Sequence, residues 1–290
     1  MSDPTPVYQY DAGQRIRWRM RWHELRQYDY LLYNLVARDI KVRYKNSLLG
    51  IGWSMLNPLL LMLVFTVVFG VFADGSLRQY PVFILVGIMP WNFFSGSVVA
   101  GANSLLTSSS LLKKVFFPRE ILPAATVFAN LVNFLVGFVV LVVFLYAFGI
   151  GLTRHALWVP VILVTQVIFT LGLVFFLSAA HVFYRDVGMI LDVGMLAWFF
   201  LTPIFYTLEM FGMVTVAGIS FDAARVMRWI NPMASIIDGY RTVLWGTVSS
   251  NGPVGMGLDF VTRTLLTALA TFAFGYWFFR RSEHLFGEKL

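Results

Sequence analysis

Between Lys45 and Asp74 the chain carries no charged residue. A stretch that long and that apolar cannot be a surface element of a soluble domain. A helix needs about 20 mostly apolar residues to cross a bilayer. Inside the bilayer every backbone amide must be satisfied within the protein, which favours helices over open sheets. Further apolar blocks follow, and only 13% of the residues are charged, against about 25% in soluble domains. The fold class expected is therefore an all-α integral membrane protein. Six spans are expected near residues 50–72, 82–107, 122–149, 157–180, 187–208 and 260–279. The fifth holds Asp192 and Pro203 and is expected to be broken or re-entrant.

The charges border these blocks. Residues 15–46 hold nine Lys or Arg, and Arg38, Lys41, Arg43 and Lys45 crowd against the first apolar run. With both termini in the cytoplasm, 16 of the 22 Lys and Arg fall on the inner side. This is the positive-inside bias. The net charge of +7 therefore reads as topology, not as a nucleic-acid surface, which would place a basic patch on a polar domain. No cysteine is present, which excludes disulfides. The largely polar or amphipathic stretch before the first apolar run does not read as a signal peptide, whose apolar core follows a short basic region.

Residues 1–14 read as a flexible cytoplasmic tail, 15–46 as a cytoplasmic amphipathic interface-helix region, 47–280 as the transmembrane domain and 281–290 as a cytoplasmic C-terminus. Leu25, Tyr28, Leu32, Leu35 and Val36 recur at helical spacing, the pattern of a helix lying in the inner headgroup layer or packing on a partner protein. The extracytoplasmic segment 209–259 is semi-apolar. Two short re-entrant helices dipping into the outer leaflet, or a folded extracellular loop, are both compatible with it. The chain has no GxxxxGK[ST] phosphate loop, no HExxH and no GxSxG, and its four His are scattered. Those patterns mark nucleotide, zinc and acyl-transfer chemistry, so the chain does not read as an enzyme.

Six segments carry a resemblance. They are LLYNLVARDIKVRYKNSLLGIGWSMLNPLL at 31–60, VGIMPWNFFSGSVVAGANSLL at 86–106, LLKKVFFPREILP at 111–123, HVFYRDVG at 181–188, FFLTPIFY at 199–206 and INPMASIIDGYRTVLWG at 230–246. In order and spacing the chain resembles the permease subunit of bacterial ABC-2 type exporters. More narrowly it resembles those moving lipid-linked O-antigen, capsular polysaccharide or teichoic acid. The alternative within the family is export of drugs or other small amphiphiles. The resemblance implies a homodimer bound to two cytoplasmic ATPase subunits, which would bind ATP and Mg. No cofactor is expected in this chain, and the expected partners include membrane lipids and a polyprenyl-diphosphate-linked glycan but no nucleic acid.

On that resemblance the basic cluster Arg38, Lys41, Arg43 and Lys45 gains a second reading, contact with the substrate diphosphate beside lipid anchoring. The segment 108–120 is the expected coupling element to the ATPase. Leu111, Leu112, Val115 and Phe116 would supply apolar contacts, Lys113, Lys114 and Arg119 would set registry, and Arg119 with Glu120 would lock its exit. Ser108 to Ser110 can cap its helix. Tyr184, Arg185 and Asp186 form a second inner turn, with Arg185 and Asp186 expected to pair. Asp192 either pairs with Arg185 or faces the pore. Aromatic faces suit a sliding sugar chain, and Trp91, Phe94, Trp198 and Tyr206 are the expected conduit residues.

Overall fold

The structure is a computed structural model that describes residues 28–72, 79–113, 117–207, 213–216, 219–250 and 252–289. Helix α1 (Asp29–Tyr44) leads to α2 (Gly52–Phe72), α3 (Tyr80–Thr107) and the single turn α4 (Ser109–Leu112). Next come α5 (Ile121–Ala147), a 3-10 turn (Arg154–Trp158) running into α6 (Val159–Phe183), and α7 (Val187–Leu201). A hairpin of β1 (Met213–Val216) and β2 (Ile219–Asp222) precedes α8 (Ala223–Ile230), α9 (Pro232–Leu244), α10 (Leu258–Ser282) and α11 (Phe286–Lys289).

Among the described residues four helical segments are long and apolar enough to cross a bilayer: Tyr80–Thr107, Ile121–Ala147, Arg154–Phe183 and Leu258–Leu285. Two shorter apolar stretches, Gly52–Val68 and Val187–Leu201, stand at the other two expected positions. Helix α3 is the centre of the bundle. Val82, Phe83, Ile84, Leu85, Val86 and Phe94 are buried on it, with α2, α5, α6 and α9 packed around it. Helices α6 and α10 pack backbone to backbone. A Cβ on Gly275 would collide with the Gly172 carbonyl, and one on Gly172 would lie 2.5 Å from the Phe272 backbone. Small residues at such a crossing let two helices approach closely in lipid, where van der Waals packing replaces the hydrophobic drive.

The expected fifth span does not run to residue 208. Helix α7 stops at Leu201, because Pro203 offers no N–H and pushes Thr202 out of the helical region. Thr202 is extended, at φ −97° and ψ 134°. The orphaned groups of this break are gathered by two side chains. Asn231 Nδ2 donates to the Leu201 carbonyl and to Thr202 Oγ1, while its Oδ1 accepts from Trp198 Nε1 at 2.9 Å and from the Ala234 amide at the start of α9. Arg241, on α9, donates to the carbonyls of Pro203, Ile204 and Tyr206, and its guanidinium lies over the Phe83 ring at 3.6 Å. Charge counting assigns Arg241 to the outer side, yet it is buried in the helical body.

The segment 209–259 holds two short helices, α8 and α9, and also a strand pair. Residues 213–216 and 219–222 form an antiparallel hairpin, with Met213 opposite Asp222 and Val216 opposite Ile219. Its β-branched residues suit that geometry. IIDGYRTVLWG does form a helix, α9, and Met233, Ile237, Tyr240, Val243 and Leu244 on it are fully buried.

Candidate functional site: the basic approach, its cleft and the terminal clasp

Helix α1 does not offer its apolar face outward. Leu35 is buried with Ile121, Leu122 and Ala125 of α5, and Tyr28, Leu31, Leu32 and Val36 flank that cluster. Part of the amphipathic pattern thus packs on the protein's own helix, while Tyr30, Tyr33 and Val42 of α1 stay exposed. Leu25 and the stretch before residue 28 lie outside the described residues.

The four basic residues separate by role. Arg38 forms a surface pair with Asp39 at 2.9 Å, an exposed contact worth little. Lys41 and Lys45 are exposed. Arg43 is exposed as well, but its Nη1 donates to Asn130 Oδ1 on α5 at 2.8 Å. Beside it Tyr44 Oη donates to Asn133 Oδ1 at 2.9 Å. These two contacts tie the end of α1 to α5 at the wall of a cavity of about 560 Å³, bounded also by the start of α2 and the middle of α3.

The coupling segment is partly visible. Lys114, Val115 and Phe116 lie outside the described residues. Leu111 and Leu112 are half-buried against the cluster of Leu105, Ile121 and Leu122. Leu111 and Leu112, expected to supply contacts to the ATPase, therefore spend part of their surface within the chain itself. Ser108 stands at the N-cap of α4 but makes no side-chain capping bond. Lys113 is exposed.

Arg119 and Glu120 meet partners near the end of the chain that sequence reading missed. Arg119 Nη1 donates to the Glu283 carbonyl at 2.6 Å, and its guanidinium faces the Phe286 ring at 5.9 Å. Arg280 Nη1 lies 3.8 Å from the Glu120 carboxylate and 2.5 Å from that of Glu283. Phe286 is fully buried against Phe279 and Phe183. The last residues of the chain are thus clasped to the start of α5. The only sequence signal was the pair of Arg at 280 and 281, which reads equally well as a topology marker.

Tyr184, Arg185 and Asp186 form the turn between α6 and α7, and all three are exposed. Among the described residues no ion pair joins Arg185 to Asp186 or to Asp192. Asp192 stands exposed on α7.

The four expected conduit aromatics differ in burial. Trp91 and Phe94 are buried on α3. Their rings are covered by Phe199, Phe169 and Trp198 at centroid distances of 5.1–5.7 Å. Trp198 spends its N–H on Asn231, and Tyr206 Oη donates to the Phe200 carbonyl at 3.1 Å. Trp91 and Phe94 are closed off within one chain, while Trp198 and Tyr206 stay partly exposed. Among the described residues no cluster of His, Asp or Glu is arranged to hold a metal.

Residues 30–245 match the family model for ABC-2 type transporters. The chain is 36% identical over 249 residues to the O-antigen export system permease protein RfbA of Myxococcus xanthus, covering 86% of this chain and 93% of that protein. It is 30% identical over 264 residues to the O-antigen export system permease protein RfbA of Klebsiella pneumoniae, covering 90% and 95%. A second Klebsiella pneumoniae protein of that name is 28% identical over the same length. With a family match over most of its length and relatives matched nearly end to end, the chain belongs to the ABC-2 type transporter family, as a permease subunit.

Proposed function

We propose that this protein is the membrane subunit of an ATP-driven exporter of lipid-linked polysaccharide, of O-antigen, capsular or teichoic-acid type, across the bacterial inner or plasma membrane. The observation that carries the reading is its near end-to-end relation to O-antigen export permeases. Helix α2, at 21 residues and about 31 Å, is long enough to join the four clear spans. Helix α7 with its buried break makes the sixth membrane-embedded segment, and α9 dips in from the outer side. Both termini are cytoplasmic, in line with the charge asymmetry.

Energy comes from two copies of a separate ATPase, which bind ATP and Mg. This chain has no phosphate loop for them. The ATPase pushes on the segment 108–120 and the turn 184–186. The clasp of Arg119 and Glu120 on Arg280, Glu283 and Phe286 lets that push reach α5 and α10 as one unit. Because Trp91 and Phe94 are packed within a single chain, the wide path for a polymer is built between two copies about a shared axis. Lys41, Arg43 and Lys45 receive the diphosphate of the polyprenyl-linked glycan at the inner leaflet.

The test is depletion of the permease in its own host, followed by identification of the lipid-linked species that accumulates. A polyprenyl-linked glycan retained on the inner side is the expected result. Normal glycan export with retention of a small amphiphile instead would shift the reading to the drug-type exporters of the same family.

A further inference from the structure

A cavity opens beside Arg43, and its chemistry is unlike that of the bundle around it. Its volume of about 560 Å³ falls within the roughly 300–1,000 Å³ range of small-molecule sites. Four asparagines, 57, 92, 130 and 133, converge on it from α2, α3 and α5. Two of them hold the α1 contacts. Asn130 accepts from Arg43 and returns its Nδ2 to the Thr126 carbonyl. Asn133 accepts from Tyr44, but its Nδ2 is buried with no hydrogen-bond partner among the described residues. The Ser47 hydroxyl at the same cavity is likewise buried and unpartnered. Polar groups at this depth are costly unless something satisfies them. Apolar and aromatic side chains line the same cavity, among them Met89, Phe93, Phe134 and Trp53.

A lipid tail would have no use for the amides. A sugar ring needs both kinds of wall: hydroxyls that donate and accept, and an apolar face that lies on an aromatic one. At the mouth Arg43 spends one N–H on Asn130, while a guanidinium carries five. We infer that this cleft binds the sugar end of a sugar diphosphate, with Arg43 turned to the phosphate and the Asn133 amide and Ser47 hydroxyl to the sugar. The inference rests on the proposed diphosphate contact at the basic approach and adds a site for the sugar that follows it.

The absence of cysteine gives a direct test. A single Ser54→Cys in the permease, assembled with its ATPase in lipid nanodiscs without nucleotide, places one thiol at the cleft. Its alkylation rate is read with three additions: a short-chain prenyl diphosphate bearing one hexose, the same prenyl diphosphate without sugar, and phosphatidylglycerol. The sugar-bearing compound should protect at about tenfold lower concentration than the sugar-free one, the weight of one or two added hydrogen bonds. Asn133→Leu should erase that difference, and Arg43→Gln should weaken protection by both diphosphates. Equal protection by both diphosphates in the Ser54→Cys protein overturns the sugar site and leaves the diphosphate contact standing. Protection by neither beyond phosphatidylglycerol overturns both. The sugar and sugar-free comparison in the Ser54→Cys protein decides the matter even if Asn133→Leu fails to assemble.

Discussion

Removing the Phe286 ring should open the terminal clasp. The ring is fully buried, with centroids 5.3 Å from Phe279 and 6.1 Å from Phe183. Truncating a buried Phe to Ala costs about 3–5 kcal/mol in a packed interior. The other anchors of this segment include the Arg119 bond to the Glu283 carbonyl and the Arg280–Glu283 pair. Such contacts contribute about 1 kcal/mol each, and somewhat more when charged. The ring is therefore the dominant hold, and a loss of 3 kcal/mol lowers the ratio of docked to released segment by roughly a hundredfold. The assay is alkylation of a single Ser282→Cys, at a buried position in a chain without other thiols. Phe286→Ala should speed its reaction by up to that factor. Permease abundance in the membrane should stay near normal, while export falls and hydrolysis by the partner ATPase responds less to the permease. An unchanged alkylation rate together with normal export would refute the clasp as a mechanical link.

Other perturbations probe separate parts of the account. Arg280→Met removes the cation beside the Glu120 and Glu283 carboxylates and should destabilise by about 1.5–3 kcal/mol, the range for a hydrogen bond to a charged group. Adding Glu120→Gln should recover part of the loss, and thermal midpoints of the four proteins in detergent check the cycle. Arg241→Met removes the donor shared by three carbonyls at the α7 break and should cost about 3 kcal/mol or more; equal thermal stability of the variant would show that those carbonyls have another partner. Changing Lys41, Arg43 and Lys45 together to Gln should lower export more than exchanging Arg and Lys among them, with insertion unaffected. Normal export by a correctly inserted triple variant would end any substrate role for that charge.

The spans were legible because bilayer thickness imposes a length on apolar runs that sequence displays directly. Each of the four clear spans lies within about three residues of its expected bounds at most ends. The break after Leu201 was also visible, since Pro203 acts locally. What holds the break together was not, because Asn231 and Arg241 lie roughly thirty to forty positions away. Arg241 even reads as an outer-loop charge until its carbonyl partners are known. The same holds for the clasp: Arg119 and Glu283 are separated by 164 positions, and no periodicity records that they meet. The aromatics misled for a different reason. Composition marks Trp91 and Phe94 as rings able to face sugar, but only packing reveals that other rings already cover them. The asparagines of the cleft were missed because they are scattered over three helices, and only Asn130 and Asn133 share one. They become a site only when α2, α3 and α5 bring them to one wall.

The central claim is ATP-driven movement of a lipid-linked glycan through this permease. The direct measurement is transport by the purified permease and its ATPase in proteoliposomes loaded with labelled polyprenyl-diphosphate glycan. Appearance of the glycan on the opposite face is followed with a membrane-impermeant glycan-binding protein. The account predicts transfer that requires ATP and both subunits and that falls in the Lys41, Arg43 and Lys45 triple Gln variant. Glycan that stays on its original face while the same vesicles move a small amphiphile on ATP addition would contradict it.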